Sequence, residues 1–419
     1  PALGLIGILM TPFVFVVPQI VMVAELATMI PSNQGYVAWV TRGLGDYFGF
    51  LNAFSTLSAN LVNMSVYCTL FSSYICSCSL IPLGPDPSLV VKYSIRIAGN
   101  FLATCISLLP SARVAEISTA IGSVVMAPFI LGFFASVSRI DPRQQWNIWT
   151  PVNYDVVQSN ASYYLSPRNS MEIDWALWGS TLCWLYTGWN SLGNLAAEVS
   201  SASVYTYGML IAMCLDIFAY FISVIAALSI PADSVMRNSD LQSVWADGYL
   251  VPAFDAILPK MKLGAIVCGV SCLSIFGIIT NSIVCYGRAI AAVSELGWLP
   301  KRIAYTYEFI PYNAIALLFL ITAVLSCFEF DVLIQFNFVL AAQGYILTFI
   351  SFLRLKYIEK CTPRPYVVPG GLIGAWITSI LKMILMVFVM ATIFVQRRHV
   401  LLFYIGFNVF LSLVYAIIA

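Results

Sequence analysis

About eleven apolar runs, each long enough to cross a bilayer as a helix, follow one another along the chain, and this narrows its fold more than any other feature. A hydrocarbon core of roughly 30 Å takes about 20 helical residues. Runs of that order lie near 3–29, 47–76, 91–109, 115–137, 175–199, 206–229, 263–286, 312–328, 332–353, 372–395 and 400–419. They are continuous, without the ten-residue alternation of a membrane barrel. The sequence therefore predicts an all-α, multi-pass integral membrane protein with one transmembrane domain over 1–419.

Composition agrees and removes most other functions. Only 9% of the 419 residues are charged and 60% are hydrophobic, whereas soluble domains carry roughly 25% charged residues. With 20 basic and 19 acidic residues, no polybasic field exists to attract nucleic acid. His399 is the single histidine, so His-based zinc sites and Ser-His or Cys-His dyads have almost nothing to draw on. No metal or other cofactor is expected, and without a phosphate-binding G-x-x-x-x-G-K-[ST] loop ATP is not the energy source. Most of the 11 cysteines lie in or beside apolar runs, where Cys acts as a small hydrophobe; Cys76 or Cys78 is the alternative, pairing outside. The opening at Pro1, directly in an apolar run, reads as a fragment lacking its natural N-terminus.

Two connections, 138–174 and 230–262, are long and polar, and odd-even counting puts both on one side. Asn160-Ala161-Ser162 is a glycosylation sequon that assigns that side to the exterior or lumen. The opposite side receives the short basic loops 287–311 and 354–371, as the positive-inside rule asks, although Arg397 and Arg398 fall against it. Trp245 to Leu258 has amphipathic spacing at Leu250, Phe254 and Ile257, and Tyr286 to Leu296 reads as a helix on the inner face ended by Gly297 and Pro300.

Polar groups inside spans are costly and mark sites. In the fifth span, Trp184 to Asn194 places Gly188, Gly193, Thr187, Asn190 and Asn194 at mid-membrane, which predicts a broken helix whose freed ends line a cavity; the alternative is a close packing face. Thr56, Asn60, Asn63 and Tyr67 recur at intervals of four, three and four, on one face of the second span. Asp216 in the sixth span must be paired, protonated or wet. Asn281 in the seventh span and Gln343-Gly344-Tyr345 in the ninth are polar positions that serve either as interhelical bonds or as ligand contacts, and Gly344, lacking a side chain, is expected to open room beside the Tyr345 ring. Glu25, near Pro31, reads as a structural or gating carboxylate close to the inner boundary. Lys382 reads as a side chain that snorkels or pairs, with no role assigned.

Ala24-Glu25-Leu26 with Pro31 and Gly35-Tyr36-Val37, Trp184 to Val199, Ser294 to Pro300 and Arg364 to Gly370 together resemble the amino acid, polyamine and organocation transporter superfamily. The resemblance covers nearly the whole chain. With Trp245 to Tyr249 it is closest to the polyamine-proton symporter branch of plants and trypanosomatids. It implies a LeuT-type inverted-repeat bundle with about eleven of twelve helices present, the first helix missing. It also implies a substrate held at the unwound fifth span: Trp184 stacking on it, Gly188 marking the break, Asn190 as the polar contact, Thr187 and Asn63 nearby. Many cation-carrying relatives have an acid where Asn190 stands, and an amide cannot neutralise an ammonium. Asp216, Glu25 or the missing helix would then supply the charge.

The expectation is a secondary active transporter importing putrescine- or spermidine-like cations by proton symport, with Trp184 and Tyr345 as cation-π partners, in the plasma membrane. Its partners would be the cationic small molecule, protons and the lipid bilayer. The alternatives are a cationic or neutral amino acid permease and, from another class, a non-transporting receptor on the same fold. An enzyme would need paired catalytic groups, and Asp216 stands alone among mid-span acids.

Overall fold

The computed structural model describes residues 2–32, 34–77, 87–140, 154–159, 162–167, 175–198, 202–230, 250–307, 310–328 and 330–418. Asn160 and Ala161 of the sequon, Val199 and the Trp245 to Tyr249 segment lie outside them. Among the described residues nearly all regular structure is helical. The first span joins α1 (Ala2–Thr11), a π-helical turn (Pro12–Val16) and α2 (Val17–Met29). Then come α3 (Tyr36–Leu44), α4 (Asp46–Ser77), α5 (Leu89–Ser107) and α6 (Ser111–Ser136). The fifth span is α7 (Trp175–Leu185) followed by a 3₁₀ segment (Trp189–Glu198). The rest are α8 (Ala202–Leu228), α9 (Leu250–Ile257), α10 (Leu263–Glu295), α11 (Tyr312–Leu325), α12 (Phe330–Ile358), α13 (Gly371–Gln396) and α14 (Arg398–Ile418).

Eight of these helices are long and apolar enough to cross a membrane. The other three expected spans are α4, whose 32 residues are interleaved with amides and hydroxyls, the broken fifth span, and α11, a 14-residue helix. A two-stranded antiparallel hairpin, β1 (Tyr154–Ser159) with β2 (Ser162–Pro167), occupies part of the long polar connection 138–174. Two differences from the sequence reading have plain causes. Tyr286 to Leu296 is not a separate inner-face helix but the continuation of α10. Arg288, whose charge resembles a membrane exit, is enclosed there by bonds to the Val284 carbonyl (2.9 Å) and Ser111 Oγ (2.7 Å), so the helix runs on. Its end does come at Gly297, which adopts a φ of 81° that suits glycine. The short α3 was not expected; it begins after Gly35, at φ 51°, where a Cβ would lie 2.3 Å from Asn194 Oδ1.

Enclosure sorts the spans into two rings. The first span, α10 and α12 are the most enclosed, at 61%, 56% and 67%, against 17% for α5 and α6 and 6% for α14. α4 packs along α12, α10 and α3. Its predicted stripe faces this centre: Thr56, Asn60 and Asn63 are buried and Tyr67 packs against the main core. Large apolar side chains of the outer helices, among them Leu402, Ile384 and Ile211, face outward, as lipid contact requires. On the connection before α10, Phe254 and Ile257 of α9 fill a second apolar cluster with Val267 and Leu263, the capping role their spacing predicts.

Candidate functional site

The fifth span breaks because its sequence withdraws helical support at one place. Trp, Tyr, Thr, Asn and Gly, all weak helix formers, crowd Trp184 to Asn194. α7 stops at Leu185, and Tyr186 and Thr187 continue only through short i to i−3 bonds. Gly188 turns the chain at φ 106°, with open space where a Cβ would be. The Thr187 hydroxyl donates back to the Trp184 carbonyl at 2.9 Å and closes the end of α7. Beyond the break, Gly193 lets the ring of Trp39 approach to 2.4 Å of where a Cβ would sit, which seats α3 against the 3₁₀ half.

Three groups of side chains converge on this break. The first is an aromatic and amide network on α4: the Trp184 indole N–H donates to Asn63 Oδ1 at 2.8 Å, and Asn63 Nδ2 donates to the hydroxyls of Tyr67 (3.1 Å) and Tyr286 (3.2 Å). The rings of Tyr67 and Trp184 lie 5.9 Å apart. The second is a set of buried amides. Gln19 Nε2 donates to Asn190 Oδ1 at 3.2 Å, yet Gln19 Oε1 and Asn190 Nδ2 have no partner among the described residues. Asn194, fully buried beside the Tyr36 hydroxyl, forms no hydrogen bond of good geometry with either amide atom among the described residues. Buried amides are normally satisfied, so this cluster of open valences is where a polar ligand would gain most.

The third group is aromatic and cationic. The Tyr345 hydroxyl lies close to the Gly188 backbone at the break, and Phe15 meets its ring edge-on at 6.1 Å. Lys382 does not snorkel. It is wholly buried, donates to the Phe15 carbonyl at 2.9 Å, and lies 3.3 Å from the Phe15 ring centre and 4.6 Å from that of Tyr345.

The structure thus brings Trp184, Thr187, Gly188, Asn190, Tyr345 and Asn63 together around one break. It does not bring Asn281 there: that side chain is exposed, accepting from Ser118 Oγ at 2.8 Å between α10 and α6. Gly344 does not open room beside Tyr345, because a Cβ there would lie 2.2 Å from Thr56 Oγ1; it admits α4 instead. Asp216 is half-buried on α8 with no hydrogen bond or ion pair among the described residues, close enough to Tyr186 and Tyr220 for its charge to act on them. Those two rings meet edge-on at 5.3 Å, and their hydroxyls go to the Ile8 and Leu185 carbonyls.

Glu25 stands apart, at the end of α2 expected to face inward. Fully buried, it binds Lys356 Nζ (2.6 Å to Oε1), Arg364 Nη1 (2.5 Å) and the Val368 N–H (2.8 Å). Beside it Arg42 of α3 grips Glu359 through two bonds of 2.6 and 2.7 Å. Against the burial that works to raise it, the bonds and charge of Arg42, with Thr362 and Arg364, hold the Glu359 carboxyl below its usual range. On the same side a crevice of about 190 Å³ opens between Gln34, Arg288, Ala292 and Glu295. Sequence inspection missed Gln19, Phe15 and Tyr286 and gave Lys382 no part; for Gln19 and Lys382 the available signal was a polar side chain in the middle of an apolar run.

Comparison with known proteins places this arrangement. A family model described as amino acid permease matches residues 2–419. The polyamine transporter RMV1 of Arabidopsis thaliana is 24% identical over 393 residues, covering 93% of this chain and 74% of its own. A probable polyamine transporter of the same plant is 26% identical over 420 residues, 97% of this chain and 79% of its own. The polyamine transporter PUT1 of Oryza sativa subsp. japonica is 23% identical over 381 residues, 89% and 65%.

Proposed function

The chain belongs to the amino acid permease family and is a multi-pass membrane transporter, not an enzyme; from that premise we propose that it imports polyamine-like organic cations by proton symport. The observation that carries the cationic cargo is the pairing, at one helix break, of aromatic faces with buried amides that hold an unused valence. Because the Gln19 and Asn190 amides satisfy only one bond between them, one acceptor is free in either amide orientation, and an ammonium is a donor. Tyr345 and Trp184 offer ring faces to the same charge. The likeness to plant proteins named polyamine transporters supports the class of cargo.

Asp216 is the proton carrier in this reading. Half-buried and without a partner among the described residues, its carboxylate changes charge at little structural cost, whereas Glu25 is locked by two cations. Cargo and proton would cross as the helices rock about the break, with the plasma membrane as the site of import. Radiolabelled spermidine uptake into proteoliposomes tests this. An inward proton gradient should drive saturable accumulation, Asn190→Ala and Tyr345→Ala should each raise KM roughly tenfold, and Asp216→Asn should abolish the response to the gradient while cargo still binds. Accumulation indifferent to the gradient, or uptake of amino acids but no polyamine, would overturn it.

A second reading, an amino acid permease, is favoured by one observation: Asn190 Nδ2 is also free, a donor suited to a substrate carboxylate. Competition by arginine and leucine in the same assay separates the two.

A further inference from the structure

We propose that Lys382 is a specificity-determining residue of this transporter: its ammonium competes with the ammonium of the cargo for the face of Tyr345, and so holds affinity for cations down and lets cargo leave. The inference rests on the cationic reading above.

Lys382 sits near the middle of α13 and exposes none of its surface. Its nitrogen is held by the Phe15 carbonyl at 2.9 Å and by two aromatic faces, Phe15 at 3.3 Å and Tyr345 at 4.6 Å. Among the described residues no carboxylate lies within ion-pair distance of it. The Phe15 carbonyl belongs to the π-helical turn of the first span, a distortion often found at functional sites. Tyr345 of α12 lies beside the Gly188 backbone, so the ring that Lys382 partly covers stands at the helix break.

An aromatic face attracts an ammonium through its quadrupole, but a second unit charge beside the first meets repulsion that a low-dielectric interior screens poorly. A cargo ammonium arriving at Tyr345 therefore has to push Lys382 toward Phe15, whose ring and carbonyl both hold it already. The site binds cations more weakly than its rings and amides would allow, and the displaced lysine drives release. A purely structural lysine would do neither.

The test is Lys382→Met in the full chain, reconstituted and assayed for spermidine uptake. Methionine fills a similar volume, and replacing a buried charge by an apolar group is often neutral for folding, which thermal melting in detergent checks. The KM for spermidine should fall about tenfold and kcat should fall with it, a split that a loosened fold would not give. Lys382→Gln should shift KM the same way, and Lys382→Arg should keep the wild-type KM. An unchanged or raised KM in folded Lys382→Met and Lys382→Gln overturns the inference while leaving the cationic cargo standing. Absence of saturable polyamine uptake by the wild type overturns the reading beneath it.

Discussion

Asn63 bonds an indole and two phenols with one amide, and its removal would take a hydrogen bond from all three at once, the one to Tyr286 in a buried position. Losing the partner of a buried polar group costs on the order of 1–3 kcal/mol. Asn63→Ala should therefore lower the melting temperature by several degrees and raise the transport KM, both measurable on one preparation. Asn63 was legible in the sequence because its stripe repeats at helical spacing, so its neighbours identify its face. Lys382 was not legible in the same way. Its partners are the Phe15 carbonyl, 367 positions away in the chain, and a ring on a third helix; no local period announces such a meeting. Gly344 misled for a related reason: a glycine shows that something comes close, but only the packed structure tells that Thr56 rather than a ligand fills the room.

The element that ties the inner face is the end of α2. Its Glu25 gathers Lys356 from α12, with Arg364 and the Val368 N–H from the loop before α13. Removing one member of a buried, hydrogen-bonded charge cluster typically costs about 3–5 kcal/mol, because the partners stay buried without compensation. Glu25→Gln should accordingly destabilise the packing around Glu25 strongly, seen as a lower melting temperature and as greater labelling of Ala292→Cys by a thiol reagent from the inner side. Arg42 and Glu359, more exposed, should contribute far less. Since the Glu359 carboxyl is held below its usual range, its share is present above pH about 4.5 and fades as acid protonates it in the folded protein. At this scale the fifth-span break and the long helices could be read from residue types, since bilayer thickness and helix propensity act locally. The short α3 and the unbroken course of α10 could not: α3 has too few residues for a clear period, and Arg288 bonds Ser111 of α6, 177 positions away in the chain.

Across the whole molecule, an enclosed ring of the first span, α10 and α12 stands inside a ring of lipid-facing helices. The sequence disclosed that there are many spans but not this sorting, because apolar residues facing lipid and apolar residues facing protein look alike. α10 packs along α4 and α6. Its 33 residues measure about 50 Å at 1.5 Å per residue, well beyond a hydrocarbon core of roughly 30 Å. Tyr286 lies in the network around Asn63, and Glu295 closes the crevice nine positions further on, bonded by Gln34 at 3.4 Å. In the proposed cycle the helix would act as a lever with its fulcrum at the proposed cargo site. A tilt of about 10° about Tyr286 sweeps Glu295 by roughly 2 Å, as the rise per residue requires, enough to part it from Gln34. Spin labels placed at Gln34→Cys and Glu295→Cys should move apart when spermidine binds, and a separation that stays fixed would mean the rod does not turn. In mechanical terms, the stiffness of a single helix would then carry the news of an occupied site to its far end.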